Sequence, residues 1–210
     1  MTVLRSGGEY GPKHVLALQA QLKQWAPHAR LTCLSDVDIP GVDCLALMNG
    51  WPGWWSKMEM FAPDIHGDFL YMDLDTVIVG PLDDLLAVKK LTLLRDFYRN
   101  GVRMAEGLQS SLMFLPASAR PDIWRVWTAA PAQHMADNHR GGDQVFLERK
   151  WLTIADRWQD VVPGQVVSWK VDCHGGNNFQ TPVVPADARV IVFHGNPRPW
   201  STPQFKHLSG

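Results

Sequence analysis

The sequence is short of cysteine, has no long apolar run and carries no excess of either charge, and each shortage removes a class of protein. Cys33, Cys44 and Cys173 are odd in number and lack any CxxC spacing, which argues against a disulfide framework and against a zinc knuckle. A reducing, cytoplasmic compartment is expected. No stretch of about 18 apolar residues occurs, so no transmembrane segment is expected, and peripheral contact with the inner face of a membrane stays open. The N-terminus lacks the basic-then-apolar layout of a secretion signal. Lys and Arg number 20 against 21 Asp and Glu, a formal charge of −1, so no cationic surface for nucleic acid is indicated. Hydrophobic residues at 46% and charged residues at 20% exclude disorder. No repeat, charge block or low-complexity linker divides the 210 residues. One domain over 1–210 is expected, with an irregular Pro-, Ser- and Gly-rich tail from about residue 201.

What is present alternates. Thr2-Val3-Leu4 is a short strand-like run, and Val15, Leu18, Leu22 and Trp25 mark one face of a helix over Pro12 to Trp25. Leu31 to Leu34 reads as a second strand, giving the strand, helix, strand rhythm of an α/β sheet. Trp55 to Phe61 reads as helical, and Phe69 to Met72 and Thr76 to Val79 as strands. Further strands are expected at Leu91 to Leu94, Ser111 to Leu115, Gln165 to Trp169 and Arg189 to Phe193, with helices near Pro121 to Ala129 and Asp143 to Lys150. The chain begins almost inside the first strand, so Met1 is expected close to any ligand of that strand. Ten tryptophans suit core packing, and some suit a sugar site, because an indole face packs on the C–H face of a pyranose.

Asp73-Leu74-Asp75 interrupts the apolar stretch from Phe69 to Val79. Burying an unpaired carboxylate costs several kcal/mol, so something must compensate two of them. In an extended segment residues i and i+2 point to the same side, where Asp73 and Asp75 can converge on a hard cation such as Mn²⁺ or Mg²⁺. A bare Asp-x-Asp equally suits a solvated turn or strand end.

The run Trp55-Ser56-Lys57-Met58-Glu59-Met60-Phe61, followed by Tyr71-Met72-Asp73-Leu74-Asp75-Thr76-Val77-Ile78-Val79-Gly80-Pro81-Leu82-Asp83-Asp84-Leu85, resembles the family 8 glycosyltransferases, the glycogenin and bacterial lipopolysaccharide galactosyltransferase group. Val190-Ile191-Val192-Phe193-His194-Gly195-Asn196-Pro197-Arg198-Pro199-Trp200 is similar to that family's C-terminal His, Gly, Lys-Pro-Trp segment. The spacing from His194 to Gly195 is shorter here, and Arg198 stands where the family has Lys. The resemblance implies a GT-A fold: an α/β, Rossmann-like, mixed and mainly parallel sheet flanked by helices. It also implies transfer of a sugar from a nucleotide-sugar donor, a UDP-sugar, with retention of configuration and a metal held by Asp73, Asp75 and His194. Gly195 and Arg198 would belong to the donor site, where a guanidinium grips diphosphate bidentately.

An open α/β sheet leaves its crevice at the carboxyl ends of the strands, which brings in Leu4, Arg5 and Asp36. By resemblance, Tyr10 would stack on the base, and as a plain residue it would pack at the start of the helix. Lys57 would offer a cation near the donor. Asp96, Gln109, Ser110 and Ser111 would bond the donor sugar, and Asp143-Gln144 would open a helix in the same site; Asp143 reads equally well as a helix N-cap. Asp73, Asp75, Lys57, Arg198, Asp143 and Gln144 form the expected catalytic set. The acceptor, whether saccharide, lipid-linked or protein, is not specified. Two rivals stand beside this reading. A nucleotidyltransferase or nucleotide-sugar hydrolase could use the same carboxylates, but Ser6-Gly7-Gly8 lacks the lysine and hydroxyl of a phosphate loop. A carbohydrate-binding module would explain the tryptophans and leave the acidic triplet unexplained.

Overall fold

The computed structural model describes residues 1–99, 106–174 and 181–209. Its elements in chain order are β1 (Thr2–Leu4), α1 (Pro12–Trp25), β2 (Thr32–Ser35), β3 (Asp43–Ala46), β4 (Phe69–Met72), β5 (Thr76–Ile78), α2 (Asp83–Leu86), β6 (Thr92–Arg95), β7 (Leu108–Leu115), α3 (Arg120–Ala129), α4 (Pro131–Asp137), α5 (Gly142–Trp151), β8 (Asp156–Arg157), α6 (Trp158–Val161), β9 (Val166–Ser168) and β10 (Val190–Val192). Gly53–Phe61 is a 3-10 helix rather than an α-helix. The expected elements are present with shifted ends, whereas β3, α2, α4, β8 and α6 carry too short an apolar pattern to be read from sequence.

Strands β1, β2 and β3 pair in parallel, with Cys33 opposite Cys44. β4 pairs antiparallel with β7, which continues through β6 to β8. Hydrogen bonds from the Met1 amine to the Leu70 carbonyl (2.6 Å) and from the Met72 amide to the Met1 carbonyl (3.0 Å) join these halves side by side, β1 against β4. Met1 therefore lies at the end of β1 away from the cavity described below, and not beside it as the sequence suggested. A smaller sheet, β5, β10 and β9, has β10 parallel to β9 and antiparallel to β5.

Strand β7 is buried along its whole length, and the polar run Gln109-Ser110-Ser111 opens it just after Leu108, as expected. Both faces are covered, and alternation disappears when no face meets water. One face carries the core of Leu4, Val15, Leu18, Leu112 and Trp158 under α1 and α6. The other carries Met58, Phe61, Met113, Trp127 and Phe146 under the 3-10 helix, α3 and α5. No helix among the described residues is long and apolar enough to cross a membrane.

The stretch from 201 is not irregular. Pro199–Ser201 and Pro203–Ser209 wind as 3-10 turns, and Phe205 packs edge-on against Trp169 at 5.5 Å and Phe193 at 5.9 Å. One buried aromatic ring outweighs the loop-like composition around it. Phe205→Ala is expected to cost about 3 kcal/mol and to lower Tm by roughly 6 to 12 °C, measured by calorimetry; a Tm within 2 °C of the parent would show that the ring does not anchor this segment.

Candidate active site

The carboxyl ends of β1, β4 and β10 and the amino end of β7 open onto one cavity of about 550 Å³. Arg5, Tyr10, Lys57, Asp73, Asp75, Gln109, Ser110, Ser111, Asp143, Gln144, His194, Gly195 and Arg198, all singled out from sequence, line it. Leu4, Asp36 and Asp96 do not. Leu4 is buried in the core beneath. Asp36 accepts hydrogen bonds from the Ser6 amide (2.8 Å) and hydroxyl (2.9 Å), bracing the loop after β1. Asp96 accepts from the Gln144 side-chain amide at 3.3 Å, so it stands behind a lining residue.

The acidic pair is not extended. Its backbone turns, closed by the Thr76 amide donating to the Asp73 carbonyl at 3.1 Å, while the Asp73 amide is tied to the Ser111 carbonyl at 2.8 Å. Both carboxylates nevertheless reach the cavity, each already met by a cation. Lys57 pairs with Asp73 at 2.8 Å and with Asp143 at 3.3 Å. The Arg198 guanidinium pairs with Asp75 and, at 2.7 Å, with Glu9. Phenols complete the arrangement: Tyr71 donates to Asp73 at 2.6 Å and Tyr10 to Asp75 at 3.1 Å. Asp143 is no N-cap, because α5 is capped at Gly141; its carboxylate accepts from the Ser110 hydroxyl at 2.7 Å and faces Lys57.

Charge and burial are finely opposed here. Burial and then the neighbouring Asp73 charge push the Asp75 carboxyl up to about 7, with Arg198, Lys57 and Tyr10 pulling the other way. Burial also raises Asp143, against the pull of Lys57. Burial acts to lower the Lys57 ammonium, but Asp143 and Asp73 outweigh it and hold it above the usual lysine range. The Tyr10 and Tyr71 phenols are raised by burial and by the carboxylates they touch, so both remain donors at neutral pH.

Tyr10 takes the packing place at the start of the helix that was one of its two readings, whereas the placement of His194 differs from the expected one. Tyr10 meets His14 at 5.6 Å and Trp200 at 5.8 Å edge-on, with the Arg198 guanidinium over its ring, and its hydroxyl is committed to Asp75. His194 shares a 2.6 Å hydrogen bond with the Ser168 hydroxyl and lies parallel to the Phe97 ring at 5.7 Å. Burial and Lys170 lower its imidazole to about 4, so it is neutral. Among the described residues no three acidic, His or Cys side chains gather closely enough to hold a metal ion. The shortened His194-Gly195 spacing is the sequence signal for this difference.

A divalent cation fits the acidic pair itself. Asp73 and Asp75 are hard oxygen donors on one cavity, and the burial and mutual repulsion that raise Asp75 are what a cation between carboxylates offsets. His194, as placed, is not part of that donor set.

No protein-family model and no curated protein matches the sequence. Solved structures do match. The galactosyltransferase LgtC in complex with donor and acceptor sugar analogues has a TM-score of 0.69 at 13% identity, covering 99% of this chain and 95% of that one. The glycosyltransferase GlyE of Streptococcus pneumoniae has a TM-score of 0.68 at 16% identity, over 96% of this chain and 56% of its own. Mouse xyloside xylosyltransferase 1 has a TM-score of 0.56 at 14% identity, over 93% and 96%. The chain has the GT-A glycosyltransferase fold.

Within this GT-A fold several cavity residues escaped the sequence reading. Tyr71 sits two residues before Asp73, and strand alternation alone could have placed it beside that carboxylate. Glu9 reaches Arg198 from 189 positions away, and nothing local announces it. Arg140 also lines the GT-A cavity without any motif to mark it, and Trp54 is the member of the tryptophan set that reaches it, which composition alone does not single out.

Proposed function

We propose that the protein is a metal-dependent glycosyltransferase that moves a sugar from a nucleoside diphosphate sugar, a UDP-sugar, to an acceptor hydroxyl with retention of configuration. The observation that carries this reading is the pairing of Asp73 and Asp75 with Lys57 and Arg198 on one cavity of a GT-A fold. When bound, a divalent cation held by Asp73 and Asp75 would supply Lewis acidity and a template for the diphosphate. The chain's own groups do the remainder. Arg198, released from Asp75 and Glu9 by competing phosphate oxygens, binds the diphosphate and counters charge on the departing oxygen. Lys57 pairs with Asp73 and Asp143 and fixes the position of both carboxylates. Gln144, its amide nitrogen held by Asp96, and Ser110, held by Asp143, orient the donor sugar. As the bond from the anomeric carbon to phosphate breaks, its electron pair goes to the phosphate oxygen. The acceptor oxygen bonds to that carbon, and its proton passes to the departing oxygen.

Calorimetric titration with UDP tests the reading. Binding is expected with Mn²⁺ and is expected to weaken by at least about tenfold without it. Metal-independent binding of a sugar with no UDP affinity would instead leave a carbohydrate-binding module. NMR of the product anomer tests retention, and an anomer opposite to the donor's would overturn it.

The effect of Mn²⁺ should depend on pH. Asp75 is raised to about 7, so the folded protein without metal holds that proton more tightly than the unfolded chain does. The group therefore favours the fold in acid, and its contribution is lost as pH rises through about 7. A cation must displace the same proton, so apparent Mn²⁺ affinity falls by up to about tenfold per unit below pH 7 and levels off above it. Thermal shifts with Mn²⁺ and UDP at pH 6 and pH 8 check this; equal shifts would show that Asp75 does not bind the cation.

A further inference from the structure

We propose that Trp54 and Arg140 form the acceptor subsite, and that it takes a pyranoside carrying a carboxylate. This inference rests on the transferase reading above.

Trp54 is the one exposed tryptophan, with 54% of its surface open. Its neighbours are accounted for: Trp55 stacks on Trp127 at 5.3 Å, and Trp51 meets Trp127 and Trp124. No aromatic ring among the described residues stacks on Trp54, and its indole lines the same cavity as Asp73, Asp75 and Asp143. An exposed indole on the wall of a polar cavity offers the flat apolar surface that the C–H face of a pyranose requires.

The platform is held in place. Gly142 has φ +62°, and a Cβ there would lie 2.6 Å from the Trp54 Nε1, so the indole rests directly against the backbone at the start of α5. The next residue is Asp143, bonded to Lys57 and Ser110. Trp54 is thus mounted on the segment that carries the ion-pair network, and its position relative to the reacting centre is set by the fold.

Arg140 supplies the charge preference. Lys57 is paired with Asp73 and Asp143, Arg198 with Asp75 and Glu9, and Arg5 lies 3.7 Å from Asp36. Arg140, two residues before Gly142, lines the cavity and has no ion pair among the described residues. A guanidinium left unpaired on the same cavity as an aromatic platform suits a sugar acid, because it can grip a carboxylate bidentately while the ring lies on the indole.

Saturation-transfer NMR on the full chain with Mn²⁺ and UDP tests the assignment. The probes are the methyl β-glycosides of glucose and galactose and of glucuronic and galacturonic acid. The uronides are expected to bind about tenfold more tightly than the neutral glycosides. Trp54→Ala should weaken every glycoside at least about tenfold, and Trp54→Tyr should restore most of that loss. Arg140→Gln should remove the preference for the acid and leave neutral binding in place. UDP affinity, measured in parallel, should be unaltered in these variants. Glycoside binding that survives Trp54→Ala, or a parent protein that binds UDP but none of the four probes, overturns the subsite. Loss of UDP affinity in Arg140→Gln moves Arg140 to the donor and overturns the acid preference. A parent protein that fails to bind UDP with Mn²⁺ overturns the transferase reading instead, whatever the glycosides do.

Discussion

Asp75→Asn is expected to reduce sugar transfer by about 10³-fold or more and to abolish the Mn²⁺-dependent thermal shift with UDP. The substitution keeps the shape of the side chain and an oxygen to accept from Tyr10, while removing the charge a cation needs. The fold itself should tolerate it. Asp75 is buried and its ionised form is opposed by burial and by Asp73, so losing the Arg198 pair is offset by relief of that repulsion. Net stability without metal should change by no more than about 1 kcal/mol. Side-by-side melts and UDP titrations separate the two effects. Retention of Mn²⁺-dependent UDP affinity within threefold of the parent would remove Asp75 from the metal site.

Lys57→Met should do the opposite, damaging the fold as well as the chemistry. Its ammonium serves two carboxylates at once, Asp73 at 2.8 Å and the buried Asp143 at 3.3 Å, and lies 5.6 Å from the centre of the Tyr71 ring. Removing it leaves acidic groups crowded in a largely buried cluster, a loss of about 3 to 5 kcal/mol and roughly 6 to 20 °C in Tm. The deficit should be largest near pH 8 and shrink towards pH 5. Asp143 and Asp75 already have raised affinity for protons in the folded state, and without Lys57 they can neutralise only by taking protons from solution. Adding Asp143→Asn should recover part of the loss, because one unpaired charge is then gone. A Lys57→Met protein melting within 2 °C of the parent at pH 8 would show that the network does not hold the site together.

Much of this was legible from local pattern. The face of α1 follows from Val15, Leu18 and Leu22, and β4 and β5 from their apolar runs, because burial imposes those periods directly on the chain. The acidic pair, Lys57 and Arg198 were marked by residue type and by similarity of motif, and the GT-A fold brings them together. Elsewhere a competing contact decides the side chain's place. Asp96 and Asp36 have the residue type and position of donor contacts and instead brace Gln144 and Ser6. Asp143 was equally a cap by position, yet a buried cation holds its carboxylate. The tail looked irregular until Phe205 found Trp169.

By itself the sequence determined the order of strands and helices and which charged residues interrupt apolar runs, because those follow from periodicity and from the cost of burying charge. Only the tertiary structure decided the partners. Glu9 reaches Arg198, Lys57 reaches Asp143 and the Trp54 indole rests on Gly142, partners 189, 86 and 88 positions apart in the chain. Among largely buried charges an ion pair is chosen by distance in space and by what else competes for each carboxylate, and spacing along the chain records neither.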